Sequence, residues 1–196
     1  MAPSIRIAPG FPETERLTAV RLFWQAFSGK LGTVMAPEAK ALEFLERVMD
    51  PGFALGALNR EGQLIGLAGF KTAEGALVGG GLKDMTSVYG LIGGTWRGLL
   101  LDVLERETEP DCLLMDGIFV AKQARGQGVG SALLEAICNE ARQRGLSRVR
   151  LDVIDSNPRA RALYERAGFA AISEEKTEIF EFLFGFASST RMERAV

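Results

Sequence analysis

The residues best placed to do chemistry are Arg125, Gly126, Gln127, Gly128, Val129, Gly130 and Ser131, a run of alternating glycines behind a cation. An amphipathic stretch follows at once. Leu133, Leu134, Ile137, Cys138 and Ala141 recur at helical spacing, and Gly145 is placed to stop the helix. Ahead of the turn stands CLLMDGIFV (112–120), which reads as a buried strand. A turn between a strand and a helix N-terminus exposes backbone N–H groups, and the helix dipole favours an anion there. Glycine also lets the backbone approach such a group closely. From Gly117 to Leu134 the chain carries two cations, Lys122 and Arg125, and no acid. The pattern suits a phosphate cradle, and it equally suits a plain helix-opening loop.

Two familiar phosphate loops fit poorly. A Walker loop ends in GK[ST], but here Ser131 follows Gly130 with no lysine. SGKLG (28–32) fails too, because Leu31 follows Lys30. A dinucleotide fingerprint finds a strand, a helix and an acid, Asp152, in the right order. Its third glycine is replaced by Ser131, and five residues separate Val120 from Gly126, too many for that tight turn.

A second constellation lies downstream. RVRLDVI (148–154) reads as a strand, and NPRARALYERAGF (157–169) as a helix with Asn157 as N-cap, Pro158 in first position and Gly168 at its end. Tyr164 shares one helical face with Ala160, Leu163 and Ala167, so core packing alone also accounts for it. Histidine is absent, which removes His-activated nucleophiles and His-based zinc sites. Any base must be a carboxylate, a tyrosine, a lysine, a chain terminus or a relayed water. Strand alternation places Leu114, Asp116, Ile118 and Val120 on one side. A carboxylate amid those apolar neighbours is costly unless paired or used. Asp116 is therefore a candidate base or water-orienter, with an ion pair as the plain alternative; Asp152 and Asp155 stand behind it.

RGQGVG (125–130) resembles the Q/R-x-x-G-x-G/A loop of the GNAT superfamily of N-acyltransferases. NPRARALYERAGF resembles that family's second signature, with Asn157, Ala160, Leu163, Tyr164, Gly168 and Phe169 in register. The resemblance is specific over Leu113 to Phe169. It implies an α/β (α+β) fold: a central mixed, mostly antiparallel twisted sheet of about seven strands, flanked by helices and splayed between the fourth and fifth. It implies one N-acetyltransferase domain over 1–196, with a variable insertion near 71–110. Acetyl-CoA would be cosubstrate and no metal would be needed. The backbone of Ile118, Phe119 and Val120 would pair with the pantetheine arm. Amides from Arg125 through Gly126, Gln127, Gly128, Val129 and Gly130, with Ser131, would cradle the pyrophosphate, and Asn157 would border the cofactor. Tyr164 would protonate the leaving thiolate. The acceptor would be an amine of a small molecule or peptide. The alternative within the same resemblance is a catalytically weak acyl-CoA-binding sensor or interaction module.

The wider chain must position these residues. At 196 residues, one domain is expected. Net charge is −2, so no global field points to nucleic acid or membrane. Cys112 and Cys138 form no CxxC pair, and a reducing cytoplasm is the expected setting. MAPSIRIAPGFPETER has no signal-peptide apolar core, and no apolar run is long enough to span a bilayer. SIRIA (4–8) reads as a strand; Leu17, Val20, Trp24 and Phe27 then repeat at helical spacing. Pro37 opens a second helix bearing Leu42, Leu45 and Val48. FALGAL (53–58) and QLIGLAGF (63–70) form a hairpin across NREG. Residues 75–98 are glycine-rich without clear periodicity, and TWRGLLLDVLER (95–106) reads as a helix. Strands are expected near 169–173 and 188–195. EIFEFLFGF (178–186) between them is a candidate lid or homodimer contact.

The chemistry sets its own demands. A lysine-type amine is neutral about once in 10^3.4 molecules at pH 7, a penalty of roughly 4.6 kcal/mol. A positioned base contributes about 10²–10⁴ in rate. A backbone N–H can stabilise the charge that develops on a thioester carbonyl.

Overall fold

In a computed structural model, residues 5–102, 108–176 and 188–196 are described. The order of elements is β1 (Arg6–Pro9), α1 (Arg16–Leu31), α2 (Glu38–Val48), β2 (Ala54–Leu58), β3 (Leu64–Thr72), β4 (Gly75–Ala76), α3 (Leu82–Tyr89), α4 (Leu91–Asp102), β5 (Cys112–Val120), α5 (Val129–Gln143), β6 (Arg148–Ile154), α6 (Pro158–Arg166), β7 (Ala170–Lys176) and β8 (Ser188–Ala195). The segment 178–186 falls outside the described residues.

The strands form one sheet in the order β1-β2-β3-β5-β6-β8-β7, and two-residue β4 pairs with β3. Every neighbouring pair is antiparallel except β5 with β6. This is the mixed, mostly antiparallel sheet expected, with seven strands along its path and β4 as an eighth.

Helix α5 covers one face because its apolar side is continuous. Leu133, Leu134, Ile137, Cys138 and Ala141 are wholly buried there. Gly66 of β3 permits the approach: a Cβ on it would lie 2.8 Å from Val129 Cγ1 and 3.2 Å from Leu133 Cδ1. Helix α1 lies on the opposite face, where Phe23 and Phe27 meet Phe119 of β5 with ring centroids 5.3 and 5.6 Å apart. Val20 and Trp24 are buried as expected, but Leu17 is 52% exposed. The buried side of α1 includes Phe23, which lies about 120° round the helix from Leu17.

The glycine-rich stretch forms the α3–α4 helical hairpin. A Cβ on Gly94 would run into the α3 backbone at Met85 and Thr86, so the residue is small because two helices touch there. The hairpin grips the segment between α1 and α2. Tyr89 Oη donates to the Met35 carbonyl at 2.6 Å, and Arg97 donates to Val34 at 2.7 Å and Ala36 at 3.0 Å. The Arg97 guanidinium also lies over the Tyr89 and Trp96 rings, 4.5 and 4.3 Å from their centroids. Among the described residues, no helix is long and apolar enough to cross a membrane.

Candidate active site

Strands β5 and β6 begin side by side and then part. They pair at three rungs only: Cys112 with Arg148, Leu113 with Val149, and Leu114 with Arg150. Beyond them β6 stays with β8 to Ile154, while β5 stays with β3 to Val120. The cause sits in β5. Its register against β3 jumps from Met115↔Phe70 to Gly117↔Gly69, which leaves Asp116 as an unopposed bulge residue. A bulge bends its strand and increases the local twist. From Met115 to Val120, no strand among the described residues pairs with the edge of β5 towards β6.

The bulge corrects the expected alternation. Leu114, Asp116, Ile118 and Val120 do not share one side. Val120 pairs with Gly66 and so faces α5, while Phe119 faces α1. Leu113 and Met115 belong to the core and Leu114 turns to the other face, because the extra residue inverts the parity across Asp116. Asp116 is half-buried and is engaged with other groups of the protein. Gly117 follows the bulge, and a Cβ on it would come within 3.0 Å of the Phe119 ring.

At the end of this edge the chain enters the glycine turn. A short 3-10 turn, Lys122–Ala124, leads in. Arg125 Nε donates back to the Val120 carbonyl at 3.1 Å, tying the turn to the strand. Gln127 Nε2 donates to the Gln123 carbonyl at 2.8 Å. Gly126 and Gly128 adopt φ of +76° and +84°, which L side chains rarely accept. Nothing lies within 4 Å of a Cβ built on either, so conformation rather than space demands glycine. The N–H groups of Val129, Gly130 and Ser131 then open α5 and lack intrahelical acceptors.

Helix α6 comes close to this turn: a Cβ on Gly130 would lie 3.4 Å from Leu163 Cδ2. Asn157 caps α6, its Oδ1 accepting from the Ala160 N–H at 3.2 Å. Tyr164, one residue beyond Leu163, is buried beside Phe169 with ring centroids 6.1 Å apart. Burial pushes its hydroxyl up to about 12. The structure thus brings the end of the β5 edge, the turn and Leu163 of α6 together.

A second cluster was not foreseen from the sequence. Val149, Leu151 and Val153 of β6 turn into the core, so Arg148, Arg150 and Asp152 turn to the face opposite α5. Arg191 and Glu193 of β8 stand beside them in register. Glu109, ahead of β5, accepts from Arg148 Nη2 at 2.8 Å, Arg150 Nη1 at 2.8 Å and Arg191 Nη2. Burial pushes its carboxyl up, and the guanidiniums of Arg191, Arg150 and Arg148 more than offset this, holding it below the usual carboxylate range. The signal for the cluster was the charged side of the alternation in RVRLDVI and STRMERA.

Known acetyltransferases share sequence or architecture with this chain. The chain is 36% identical over 62 residues to the thialysine N-epsilon-acetyltransferase of Bos taurus. That stretch is 32% of this chain and 36% of the bovine protein, so the match spans about a third of either. The fold resembles a GCN5-related N-acetyltransferase from Kribbella flavida, with TM-score 0.64, 15% identity and 98% of each chain covered. It also resembles the ribosomal-protein-alanine N-acetyltransferase from Brucella melitensis, with TM-score 0.60 and 20% identity over 98% of this chain and 99% of that one. Residues 17–169, from the first turn of α1 to the residue before β7, match the acetyltransferase (GNAT) family, and the chain belongs to that family.

Proposed function

We propose that this protein moves an acetyl group from acetyl-CoA directly to a primary amine of a small molecule or peptide. The observation that carries the reading is the edge of β5, unpaired by any strand among the described residues, which runs from Met115 through the Asp116 bulge to the glycine turn. An open strand edge accepts an extended chain by main-chain hydrogen bonds. A turn of positive-φ glycines at a helix N-terminus accepts phosphate. The two in sequence suit a ligand with a pantetheine-like arm and a pyrophosphate. When bound, acetyl-CoA supplies an acyl group already activated as a thioester.

The chain's own residues have separable tasks. Backbone groups of Ile118, Phe119 and Val120 orient the arm. Arg125, Gly126, Gln127, Gly128, Val129, Gly130 and Ser131 hold the phosphates. Asn157 starts α6 at the right place through its cap, and α6 delivers Tyr164. With its hydroxyl near 12, Tyr164 stays protonated at neutral pH and can donate a hydrogen bond to a departing thiolate. Full transfer of that proton to an ordinary thiolate is uphill, so the donated bond matters more than a completed transfer. Asp116, at the point where β5 leaves β6, is the proposed base or water-orienter for the amine.

The test is turnover. The protein is incubated with acetyl-CoA and a panel of primary amines, including thialysine, lysine and an alanine-terminated peptide, and released thiol is measured. Amine-dependent release supports the reading. Release no faster than without amine, across the panel, overturns it.

A further inference from the structure

The described residues contain three buried side-chain polar atoms without a hydrogen-bond partner: Nε of Arg148, of Arg150 and of Arg191. All three belong to the cluster around Glu109. Buried donors are nearly always satisfied, so three orphans in one network call for a cause. Internal acceptors are close but insufficient. Glu193 lies 3.9 Å from Arg148 Nε and 3.7 Å from Arg191 Nε, too far for hydrogen bonds. Asp152 lies 3.5 Å from Arg150 Nη2. Three guanidiniums offer about fifteen donors, more than the three carboxylates of Glu109, Glu193 and Asp152 can accept.

The position of the cluster matters as much as its chemistry. Arg150 is on the last rung that β6 shares with β5, opposite Leu114. Asp152, next on the same face, already stands beyond the parting of the strands. The glycine turn leads into α5 on one face of the sheet, and the guanidiniums lie on the other. A reacting group held between β5 and β6 would therefore meet its acceptor on the guanidinium side.

Resting on the acetyltransferase reading above, we propose that the acceptor carries a carboxylate beside its amine, and that Arg150 and Arg191 bind that carboxylate. Glu109 occupies the same place in the structure and yields it when the acceptor arrives. Guanidinium edges made of Nε–H and Nη–H match the two oxygens of a planar carboxylate, and the orphaned Nε–H groups are the unused half of those edges. Arg148 retains Glu109 as its partner. No covalent change occurs in this exchange: one carboxylate replaces another.

Two arms test the proposal. In the first, the Arg side-chain Nε–H resonances of the whole protein are followed by NMR during titration with N-acetylglycine, N-acetylglycinamide and inorganic phosphate. Shifts at Arg150 and Arg191 with N-acetylglycine, and none with its amide, are expected. Glu109→Gln, which removes the competing charge, should tighten N-acetylglycine binding about fivefold or more. No shift with N-acetylglycine, or a shift with phosphate alone, overturns the proposal. The second arm compares matched acceptors, lysine against cadaverine and peptide acids against peptide amides. For each pair turned over, the carboxylate member should have at least about tenfold higher kcat/KM. Arg191→Gln should erase that preference while leaving acetyl-CoA affinity unchanged, and Arg150→Gln serves if the first variant does not fold. A preference that survives in the folded variants overturns the assignment. If no amine is turned over, the acetyltransferase reading fails and the NMR arm alone decides the carboxylate site.

Discussion

On the α5 side of the β5–β6 opening, Val149, Leu151 and Val153 run into a core in which α5 contributes five wholly buried residues. On the other side the same strand presents Arg148, Arg150 and Asp152 to Glu109 and to β8. One face is closed by packing, the other by charge. Packing fixes geometry, because a core filled to crystal-like density resists any change of shape. A charge network can exchange partners without moving the backbone. The first face suits a ligand that is always the same, and the second suits one that must be selected.

Substitutions on either side test this contrast. The largest effect is expected at the boundary. If Asp116 is the base, Asp116→Asn keeps size and hydrogen bonding, lowers kcat/KM by about 10²–10⁴ and removes the acidic limb of the pH–rate profile. A folded variant that binds acetyl-CoA normally and keeps the full profile makes Asp116 a structural residue of the bulge. Next is Tyr164→Phe, which retains the ring beside Phe169. A fall of about 10–10³ in kcat with unchanged acetyl-CoA affinity is expected, and wild-type turnover would leave the tyrosine as packing only. Gly128→Val tests the phosphate turn. At φ of +84° a β-branched residue must rearrange the backbone, so calorimetry should show acetyl-CoA binding weakened at least about tenfold. Equal affinity would remove the cradle.

The smallest effect belongs to the charged face. The Glu109 carboxyl is held below its ordinary range, so the folded form releases its proton more readily than the unfolded chain does. Its contribution to stability is present above the unfolded value of about 4.3 and is lost as pH falls through the lower folded value. Thermal unfolding followed from pH 6 downward should therefore decline less steeply in Glu109→Gln than in wild type. Parallel curves would show that the three arginines do not depend on this carboxylate.

How much of this was legible follows from what each feature depends on. The glycine turn and α6 could be read because their signals are local: positive φ at Gly126 and Gly128, a cap at Asn157, a stop at Gly168. The buried side of α5 could be read because five apolar residues keep one period. The inverted parity of β5 could not, because it exists only relative to β3: Asp116 is an extra residue when counted against Gly69 and Phe70. Of the α3–α4 hairpin, the helix read over 95–106 is present to Asp102, its last residues lying outside the described ones, while α3 and the start of α4 were obscured by their own packing. Gly94 weakens the helical pattern in sequence and is required by contact with a helix that the sequence does not place beside it. The arginine cluster was half visible, since alternation marks a charged side of β6 but not what meets it.

The three shared rungs of β5 and β6 have a mechanical meaning. They are a seam: on one side lie β1, β2, β3 and β5, and on the other β6, β8 and β7. Parallel rungs are slightly weaker than antiparallel ones, so the seam is the natural line of parting for the sheet. A molecule laid along the open edge of β5 and anchored in the turn lengthens that seam as thread would. Occupancy and cohesion are then one quantity, and each tenfold excess of such a ligand above its Kd adds about 1.4 kcal/mol to the resistance of the whole fold.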